Sequence, residues 1–517
     1  MELPTSPFSP VPVLFLAPAD SDLMLFLREA HGLVEGCPAL VADVEADLDA
    51  HARNKKAVRV ADQAWVAAHT STLPGLTSEA AAVDPSQLIL AQGRPRTPAY
   101  VVLMVVLLRG YFGAGFKSCE TATIMEESRT IQVFFANLGL RMPRRSTLTE
   151  LVNAVSNETR LHILDAQAAR VLQLEWDDFA VMLQDSTHVE GNTAWPTESR
   201  LMVALVARML RVGASLPRLD LPAMESPKVS RHLFVMTALD REIDLAPQSR
   251  DRGRLRRRRY AKLLWRAGRV YDTLSEAVVR VEAALALLNV LPSRKAMANR
   301  AVDLLRADIA ALAQVITTCE ARVIRQEQVP MTEKVLSVSD PDAGFISKGQ
   351  RIPVVGYKPQ LARSGAGFIT GLLLPQGNAA DSKQLLPMFD EVVRRTRVVP
   401  NVLSVDDGYA SKANVAVLRG KGLKVISING AKGRALTADA DWNSDEYVHA
   451  RDQRSAVESL MFTLKQGFDF GDVARRGLVQ VHGELLEKAI AYNLCHMVRT
   501  RLAIEHGDRA RMLEKAS

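Results

Sequence analysis

The feature of the sequence that most constrains its fold is an alternation of strand patterns with helical patterns, which begins near residue 331. Two β-type runs, GYKPQLA and GFITGLLLP, are joined by the turn RSGAG. The runs NVLSV and KVISI are set apart by the helical segments DSKQLLPMFDEVVRRT and SKANVAVLRGKG, and two longer helices follow at residues 451–467 and 483–504. Strands that alternate with helices form a covered sheet, so the sequence predicts an α/β domain with a mixed sheet flanked by helices.

The rest of the chain is mainly helical in pattern. Apolar residues recur at helical spacing over residues 96–178 and again over residues 196–330, and the strand pattern FAVMLQ lies between these segments. Residues 1–95 carry no motif that indicates a role. We therefore divide the chain into an N-terminal region (1–95), a helical domain (96–178), a sheet-containing domain (179–195 and 331–505) and a second helical segment (196–330).

The helical domain at residues 96–178 is a candidate for binding DNA. A glycine-containing turn at residues 138–140 separates two short helical patterns, as in a helix-turn-helix. That pattern is weak by itself, and it identifies no individual contact residue.

Positive charge is concentrated in one tract. The chain has 65 Lys and Arg against 58 Asp and Glu, a net charge of +7. Residues 250–262, RDRGRLRRRRYAK, hold eight basic residues and one acid, and 8 − 1 = +7 equals the excess of the whole chain. A solvated helix face would explain the tract. A phosphate-binding patch would explain it equally well, because clustered arginines release counterions from a nucleic-acid backbone.

Cysteine spacing and hydropathy indicate the compartment. The four cysteines lie far apart with no CxxC pair, which argues against a zinc site and against a disulfide scaffold. The N-terminal sequence lacks the basic start of a signal peptide, and the longest apolar run, residues 100–108, is too short to cross a bilayer. We expect a cytoplasmic protein with no membrane association.

Two aspartates follow strand patterns directly. Asp185 ends one apolar run and Asp406 ends another, and strand ends present side chains to the ligand crevice of an α/β sheet. Each has a simpler explanation, since acids after strands often cap turns, and the DDG sequence at residues 406–408 favours a turn. The sequence leaves open whether Asp406 or its neighbour Asp407 is the chemical residue.

A third acid lies on a helix that is predicted to pack on the sheet. In RDQRSAVESLMFTLKQGF, apolar residues at helical spacing define one buried stripe. At about 100° per residue, Glu458 lies about 40° from Arg454 and about 20° from Lys465, at one edge of that stripe. A solvated ion pair between Arg454 and Glu458 is the alternative interpretation.

Two strand-end aspartates and a helical glutamate are suited to divalent cations. Mg²⁺ prefers oxygen ligands, and the flanking basic residues can meet phosphate. Two such ions, about 3.5–4 Å apart, activate the attacking oxygen and stabilise the leaving oxygen in phosphoryl transfer. The combination of Asp185, Asp406 and Glu458 therefore favours a nuclease or a strand transferase.

These segments resemble one family. The stretches LQDSTHVEGNTAWPTESRLM, SVDDGYASKAN and RSAVESLMFTLK are together similar to the DDE transposases of bacterial insertion sequences. Arg454, Glu458 and Lys465 match the family's R-(3)-E-(6)-K arrangement, although Arg451 stands where the family usually has a tyrosine. The family's second aspartate reads D-x-G-Y or D-x-G-F, which selects Asp406 over Asp407.

The resemblance implies an RNase H-like catalytic domain that binds two Mg²⁺ ions, for which Mn²⁺ substitutes. Asp185, Asp406 and Glu458 would hold the metals, and Arg454 and Lys465 would contact phosphates. Water would cut next to the 3′ end of the element, and the freed 3′-hydroxyl would then attack target DNA. The implied partners are the terminal inverted repeats and target DNA, bound as a homodimer or larger assembly in the bacterial nucleoid.

The resemblance also gives meaning to two further features. An RNase H-like core does not need residues 196–330, which we interpret as a helical insertion domain. Its arginines would hold DNA that flanks the cleaved end, or the insertion would merely cover the sheet; the arginines in question are Arg256, Arg257, Arg258 and Arg259. Trp442 precedes the Glu458 helix, where an aromatic residue in some family members stacks on a base displaced from the DNA end, although it would equally anchor its loop.

Two alternatives remain open at this stage. One is an RNase H-like nuclease that recognises no specific ends. The other is a DNA-binding protein derived from a transposase, without catalysis, against which the presence of all three acids argues.

Overall fold

The computed structural model describes residues 18–70, 96–113, 118–142, 145–224, 226–245, 252–347, 353–505 and 507. The predictions for residues 1–17 and 71–95, and the first two residues of the basic tract, lie outside the described residues. The chain divides into two compact units, one formed by residues 1–49, 92–192 and 342–517 and the other by residues 50–91 and 193–341.

The first unit is built on a mixed five-stranded sheet. Its strand order is β6-β5-β1-β7-β8, in which β5 pairs antiparallel with both β1 and β6, whereas β1, β7 and β8 are parallel. This arrangement, with helices around it, is consistent with an RNase H-like domain and confirms the predicted fold class. The strands are β1 (Val181–Ser186), β2 (Val189–Glu190), β3 (Gly344–Ile346), β4 (Val354–Tyr357), β5 (Gln360–Ser364), β6 (Ile369–Leu373), β7 (Val402–Asp406) and β8 (Val425–Asn429).

A second, three-stranded sheet has the order β2-β4-β3. Its strands are antiparallel, and β2 approaches β4 closely at Gly356. A Cβ atom at that position would overlap the carbonyl oxygen of Val189, so only glycine fits there.

Helices surround the sheets of the first unit. They alternate with the strands as the sequence predicts, and α12 has the predicted bounds. They are α1 (Pro18–Gly36), α3 (Ala99–Phe112), α4 (Ser118–Glu127), α5 (Arg129–Asn137), α6 (Arg145–Ala154), α7 (Asn157–Gln173), α12 (Asp381–Thr396), α13 (Lys412–Gly420), α14 (Ala431–Leu436), α15 (Asp439–Trp442), α16 (Asp445–Asp452), α17 (Ser455–Gly467) and α18 (Leu478–Glu505); α2 (Ala39–Thr70) contributes to both units.

The two faces of the five-stranded sheet differ in what covers them. Side chains alternate along a strand, so Met182 and Leu403 lie on one face and pack in the core with Phe389 of α12 and Leu418 of α13. The other face is covered by α16 and α17, which contact β7, β8 and β1. The same alternation assigns Asp185 to this second face.

The helix α18 is the central helix of the first unit. It is buried along most of its length and packs against α3 and α7, where a Cβ atom on Gly110 would overlap the Glu487 carbonyl. The Glu487 carboxylate accepts hydrogen bonds from Arg109 Nε at 2.7 Å and from Arg160 Nε at 2.8 Å. All three side chains are almost inaccessible to solvent, so one ion cluster joins the three helices inside the core.

The second unit is a helical bundle. Its helices are α8 (Glu198–Ser215), α9 (Pro227–Asp244), α10 (Arg252–Leu287) and α11 (Pro292–Cys319), and a π-helical turn (Glu320–Ile324) follows. The hydroxyls of Thr197 and Ser226 cap α8 and α9 by accepting backbone N–H groups. Apolar residues from all four long helices form one continuous core.

Some boundaries differ from the sequence prediction. The helix expected at residues 451–467 is interrupted, because α16 ends at Asp452 and α17 begins at Ser455. The helix expected from residue 483 begins earlier, at Leu478. Among the described helices, none combines the length and the apolarity that crossing a bilayer requires.

Candidate active site

Asp185 and Asp406 lie at the same edge of the sheet. The parallel register pairs Met182 with Leu403 and Leu183 with Ser404. Continued by two residues, it sets Asp185 beside Asp406, at the carboxyl ends of β1 and β7. Neighbouring strands are about 4.8 Å apart, and residues in register point to the same face, so the fold brings these two carboxylates together.

Asp185 is the most buried of the three predicted acids. Its side chain is 8% exposed, and its Oδ1 accepts the backbone N–H of Ser186 at 2.6 Å. Its Oδ2 lies 4.0 Å from Arg454 Nη1. A carboxylate with so little solvent needs a cation or hydrogen-bond donors nearby, and Arg454 supplies a positive charge.

Arg454 connects Asp185 to Glu458. It immediately precedes α17, and its Nη2 lies 2.5 Å from Glu458 Oε1. The Glu458 side chain is 56% exposed. The solvated ion pair proposed as the alternative interpretation is therefore present, and the same guanidinium also faces the buried acid at the end of β1.

Lys465 lies two turns after Glu458 on α17. Its Nζ donates to the backbone carbonyl of His188 at 3.0 Å, in the segment between β1 and β2. This contact holds the C-terminal half of α17 against the residues that follow Asp185.

Asp407 points to a different place from Asp406. Its Oδ1 accepts the backbone N–H groups of Lys432 at 2.8 Å and Gly433 at 2.9 Å, in the first turn of α14. Asp406 Oδ1 accepts the N–H of Gly408 at 2.9 Å. Asp407 thus holds a short helix, whereas Asp406 stays at the strand end beside the Asp185 position.

The structure adds a fourth acid that the sequence did not single out. Asp381 is the first residue of α12, and its Oδ1 accepts from Lys358 Nζ at 2.9 Å and Gln360 Nε2 at 2.8 Å. A Cβ atom on Gly408 would lie 3.1 Å from Asp406 Oδ1 and 3.3 Å from Asp381 Oδ2, so these carboxylates flank the same glycine. An acid in the first turn of a helix is common, and its sequence position gave no reason to select it.

Tyr409 lies beneath these acids and was also missed. Its ring is fully buried, and its hydroxyl donates to Gln360 Oε1. Burial raises the pKa of Tyr409 well above its usual value, and the charges of Asp381, Asp185 and Asp406 raise it further. The tyrosine therefore stays protonated, and the three acids that raise its pKa all lie near its ring.

Trp442 ends the short helix α15. Its half-buried ring lies between two guanidinium groups, with Arg434 Cζ 5.3 Å and Arg451 Cζ 5.4 Å from the ring centroid, and it packs at 5.1 Å against Tyr447. The carbonyl of Arg451 accepts a hydrogen bond from Asn429 Nδ2 at 3.2 Å. Asn429 is the sheet partner of Asp406, so three successive contacts connect the tryptophan to the site.

The donor set fits a hard divalent cation. Carboxylate oxygens from Asp185, Asp406 and the exposed Glu458 are the ligands that Mg²⁺ prefers. Within the part of the chain that the structure describes, no three acidic, histidine or cysteine side chains are close enough together to hold an ion. Arg454, which engages Glu458 and faces Asp185, supplies positive charge at this place.

The four consecutive arginines of the basic tract, residues 256–259, lie in the second unit and have different surroundings. Arg259 Nε lies 3.1 Å from Glu242 Oε2, and Arg256 lies 5.7 Å from the ring centroid of the buried Tyr260. Arg257 and Arg258 are exposed. From residue 252 onwards the tract is part of α10, and two of these four arginines have partners inside the unit.

Residues 313–494 match the model of the transposase DDE domain family. The match includes Asp406, Arg454, Glu458 and Lys465, and it confirms the resemblance to DDE transposases over this part of the chain. No curated protein and no solved structure shows significant similarity to the chain.

Proposed function

We propose that this protein is a transposase that cleaves DNA at the ends of an insertion sequence and joins those ends to target DNA. The observation that carries the proposal is that Asp185 and Asp406 lie at the carboxyl ends of the adjacent parallel strands β1 and β7, with Arg454 near both Asp185 and Glu458. The transposase DDE domain match over residues 313–494 supports the same function.

Three carboxylates would hold the divalent ions. Asp185 and Asp406 are fixed by their strands, whereas Glu458 is exposed on α17 and is paired with Arg454, a contact that a metal ion would have to replace. When bound, two Mg²⁺ or Mn²⁺ ions supply Lewis-acid activation of the attacking oxygen and stabilisation of the leaving oxygen. No serine, cysteine or tyrosine nucleophile is required.

Basic side chains around the acids would bind the substrate. Arg454 is 23% exposed and carries donors that suit a phosphate oxygen once its contact with Glu458 opens. Lys465 would contact a phosphate near the segment that follows Asp185. Trp442 would stack on a base at the DNA end after one of its two arginines moves aside.

Parts outside the catalytic domain would hold the rest of the DNA. We assign catalysis to residues 179–195 and 331–505, end recognition to residues 96–178 and backbone contacts to the insertion domain at residues 196–330. Of the four consecutive arginines, Arg257 and Arg258 are exposed and would contribute most, while Arg256 and Arg259 would contribute less. The proposed complex contains double-stranded DNA and a homodimer or larger assembly of the chain.

The test uses the full-length protein and the DNA that flanks its gene. Labelled fragments that carry the flanking ends are incubated with protein and Mg²⁺ or Mn²⁺, and nicks and joined products are mapped at nucleotide resolution. We expect cuts at one fixed position next to the 3′ end, followed by joined products. An Asp185→Asn variant that binds the same fragments but does not cut them is the matched control.

The products separate the proposal from its alternatives. Cuts scattered over random DNA, without joined products, would identify a nuclease on the same fold. Selective binding of the ends without any cut, under every metal condition, would identify a DNA-binding protein without catalysis.

A further inference from the structure

The helix α10 carries a cationic stripe that extends beyond the arginine tract. From residue 252 to residue 271 its sequence has nine basic residues and no acid. At about 100° per residue, the exposed side chains Arg254, Arg258, Lys262 and Arg269 fall within an arc of about 80°. Four positive charges thus follow one another along about four turns of one helix face.

A groove between α9 and α10 lies along this stripe. It encloses about 1010 Å³, and Val235 and Leu239 of α9 give it apolar walls. The one acid that lines it is Glu242, which is already paired with Arg259 at 3.1 Å. Arg258 and Lys262 line the same groove, so its uncompensated charge is positive.

Trp265 lies in this groove with most of its surface open to solvent. It is 61% exposed, although large aromatic side chains are usually buried. Its ring centroid is 6.0 Å from that of His232, and Arg266 Cζ lies 5.7 Å from it. Arg266 Nη1 is 3.3 Å from His232 Nδ1, so the side chains beside the indole are fixed while much of the ring stays accessible.

The electrostatic surroundings agree with this description. Burial lowers the pKa of His232, and the positive charges of Arg266 and Arg269 lower it further. The positive charge of the groove therefore comes from its arginines and from Lys262, and not from the histidine. A ligand for such a groove must bring negative charge along its length and a flat face for the indole.

We propose that the α9–α10 groove binds a single-stranded segment of DNA. Arg258 and Lys262 in the groove, with Arg254 and Arg269 on the same helix face, contact phosphates of the strand, and a base stacks on Trp265. Unpaired bases expose the faces that aromatic side chains stack on, whereas those of a duplex are covered by their neighbours. The inference deepens the proposed function and rests on the chain acting on DNA, but it concerns binding alone.

The test compares full-length variants by fluorescence anisotropy, with a twenty-nucleotide oligo-dT and a duplex of the same length as probes. Trp265→Ala removes the ring, Trp265→Phe keeps an aromatic face, and Arg258→Gln/Lys262→Gln/Arg269→Gln removes three charges. Phe234→Ala is the matched aromatic control, since Phe234 is 78% exposed on α9 and does not line the groove. Arg280→Gln/Arg300→Gln, at exposed positions of the same unit, controls for lost charge.

We expect Trp265→Ala to weaken oligo-dT binding about 5- to 150-fold, the range for loss of one stacked base, and Trp265→Phe to restore much of it. The triple variant should flatten the log–log salt dependence for oligo-dT by up to about 2, since each single-strand contact contributes about 0.7. Both control variants should bind as the parent protein does.

Oligo-dT binding by Trp265→Ala within twofold of the parent protein would overturn the proposal. So would an unchanged salt slope in the triple variant, or a loss that is equal for duplex and oligo-dT. Melting curves identify any variant that is unfolded. If Trp265→Ala is unfolded, oligo-dT binding by Trp265→Phe is compared with that of the parent protein to test the proposal. If the proposed function is wrong and the groove proposal is right, the protein will not cleave DNA but its groove will still bind oligo-dT.

Discussion

Asp406 and Asp407 are adjacent in sequence but bind different partners: Asp406 Oδ1 accepts the N–H of Gly408 at 2.9 Å, and Asp407 Oδ1 accepts the N–H of Lys432 at 2.8 Å. The first carboxylate lies at the strand end beside the Asp185 position. The second satisfies two backbone donors at the start of α14. Asp407 therefore has a structural role, and Asp406 is the residue that we propose for chemistry.

We predict that Asp406→Asn abolishes cleavage and joining while the melting temperature stays near that of the parent protein. Asp407→Ala should retain cleavage but lose about 0.5–2 kcal/mol of stability, the usual cost of losing a helix-capping side chain. Denaturant unfolding and the nicking assay measure the two effects separately. A cleavage-dead but fully stable Asp407→Ala variant would reverse the assignment.

Arg454 leads to a prediction about metal affinity. Its guanidinium engages Glu458 and faces Asp185, so a divalent ion must compete with it for these carboxylates. Arg454→Gln should therefore tighten Mn²⁺ binding without DNA by about 1.4- to 5-fold, the equivalent of about 0.2–1 kcal/mol for an exposed pair. Its cleavage rate should fall, because a phosphate contact is lost.

Mn²⁺ titration of the DNA-free protein measures this effect. Arg419→Gln is the control, because Arg419 is an exposed arginine of the same unit that pairs with Asp441 at 3.7 Å. Weaker or unchanged Mn²⁺ binding by Arg454→Gln would show that the guanidinium does not compete for the acids.

Mutation can separate the two roles considered for Trp442, stacking on a base and anchoring its loop. Loss of two cation–π contacts, each worth about 0.5–1 kcal/mol, predicts that Trp442→Ala loses about 1–2 kcal/mol of stability. If the ring also stacks on a base, end processing should fall by more than this loss explains. Arg434→Gln/Arg451→Gln removes the same contacts but keeps the ring. Equal end processing by this variant and Trp442→Ala would identify the tryptophan as a loop anchor.

The sequence predicted much of the fold because its patterns are local. Strand runs, the turn between β5 and β6 and the apolar face of α12 each depend on residues close together in the chain. The break between α16 and α17 has no glycine or proline to announce it, so it was missed. Asp381 and Tyr409 were missed for another reason: their contacts with Gln360 join segments that are 21 and 49 residues apart.

For the basic tract, we predict that two pairs of arginines differ in their contribution to DNA binding. Arg257→Gln/Arg258→Gln removes two exposed charges and should flatten the log–log salt dependence of duplex binding by up to about 1.8, at about 0.9 per contact. Arg256→Gln/Arg259→Gln should change the slope less and lower stability more, because Arg259 pairs with Glu242 and Arg256 packs on Tyr260. Equal slopes of the salt dependence for both variants would mean that solvent exposure does not decide which arginines contact DNA.

The buried ion cluster at Glu487 determines how the first unit responds to acid. Burial raises the pKa of Glu487, but Arg109 and Arg160 outweigh that effect and hold it at about 2, below the ordinary value of 4.5. A lowered pKa means that the stabilisation is complete above about pH 4.5 and is lost as the pH falls through about 2. Neutralising the carboxylate leaves two buried arginines without their anion.

Glu487→Gln should therefore lose about 3–5 kcal/mol of stability at pH 7, the typical effect of removing one partner from a buried ion pair. Urea unfolding at pH 7, 5, 4 and 3 measures the difference from the parent protein, which should shrink below about pH 4.5 as the Glu487 carboxylate of the unfolded parent chain becomes protonated. Asp244→Asn, which breaks the exposed pair with Arg200, should cost less than about 1 kcal/mol. A difference between Glu487→Gln and the parent that stays constant down to pH 3 would show that the charge of Glu487 does not stabilise the core.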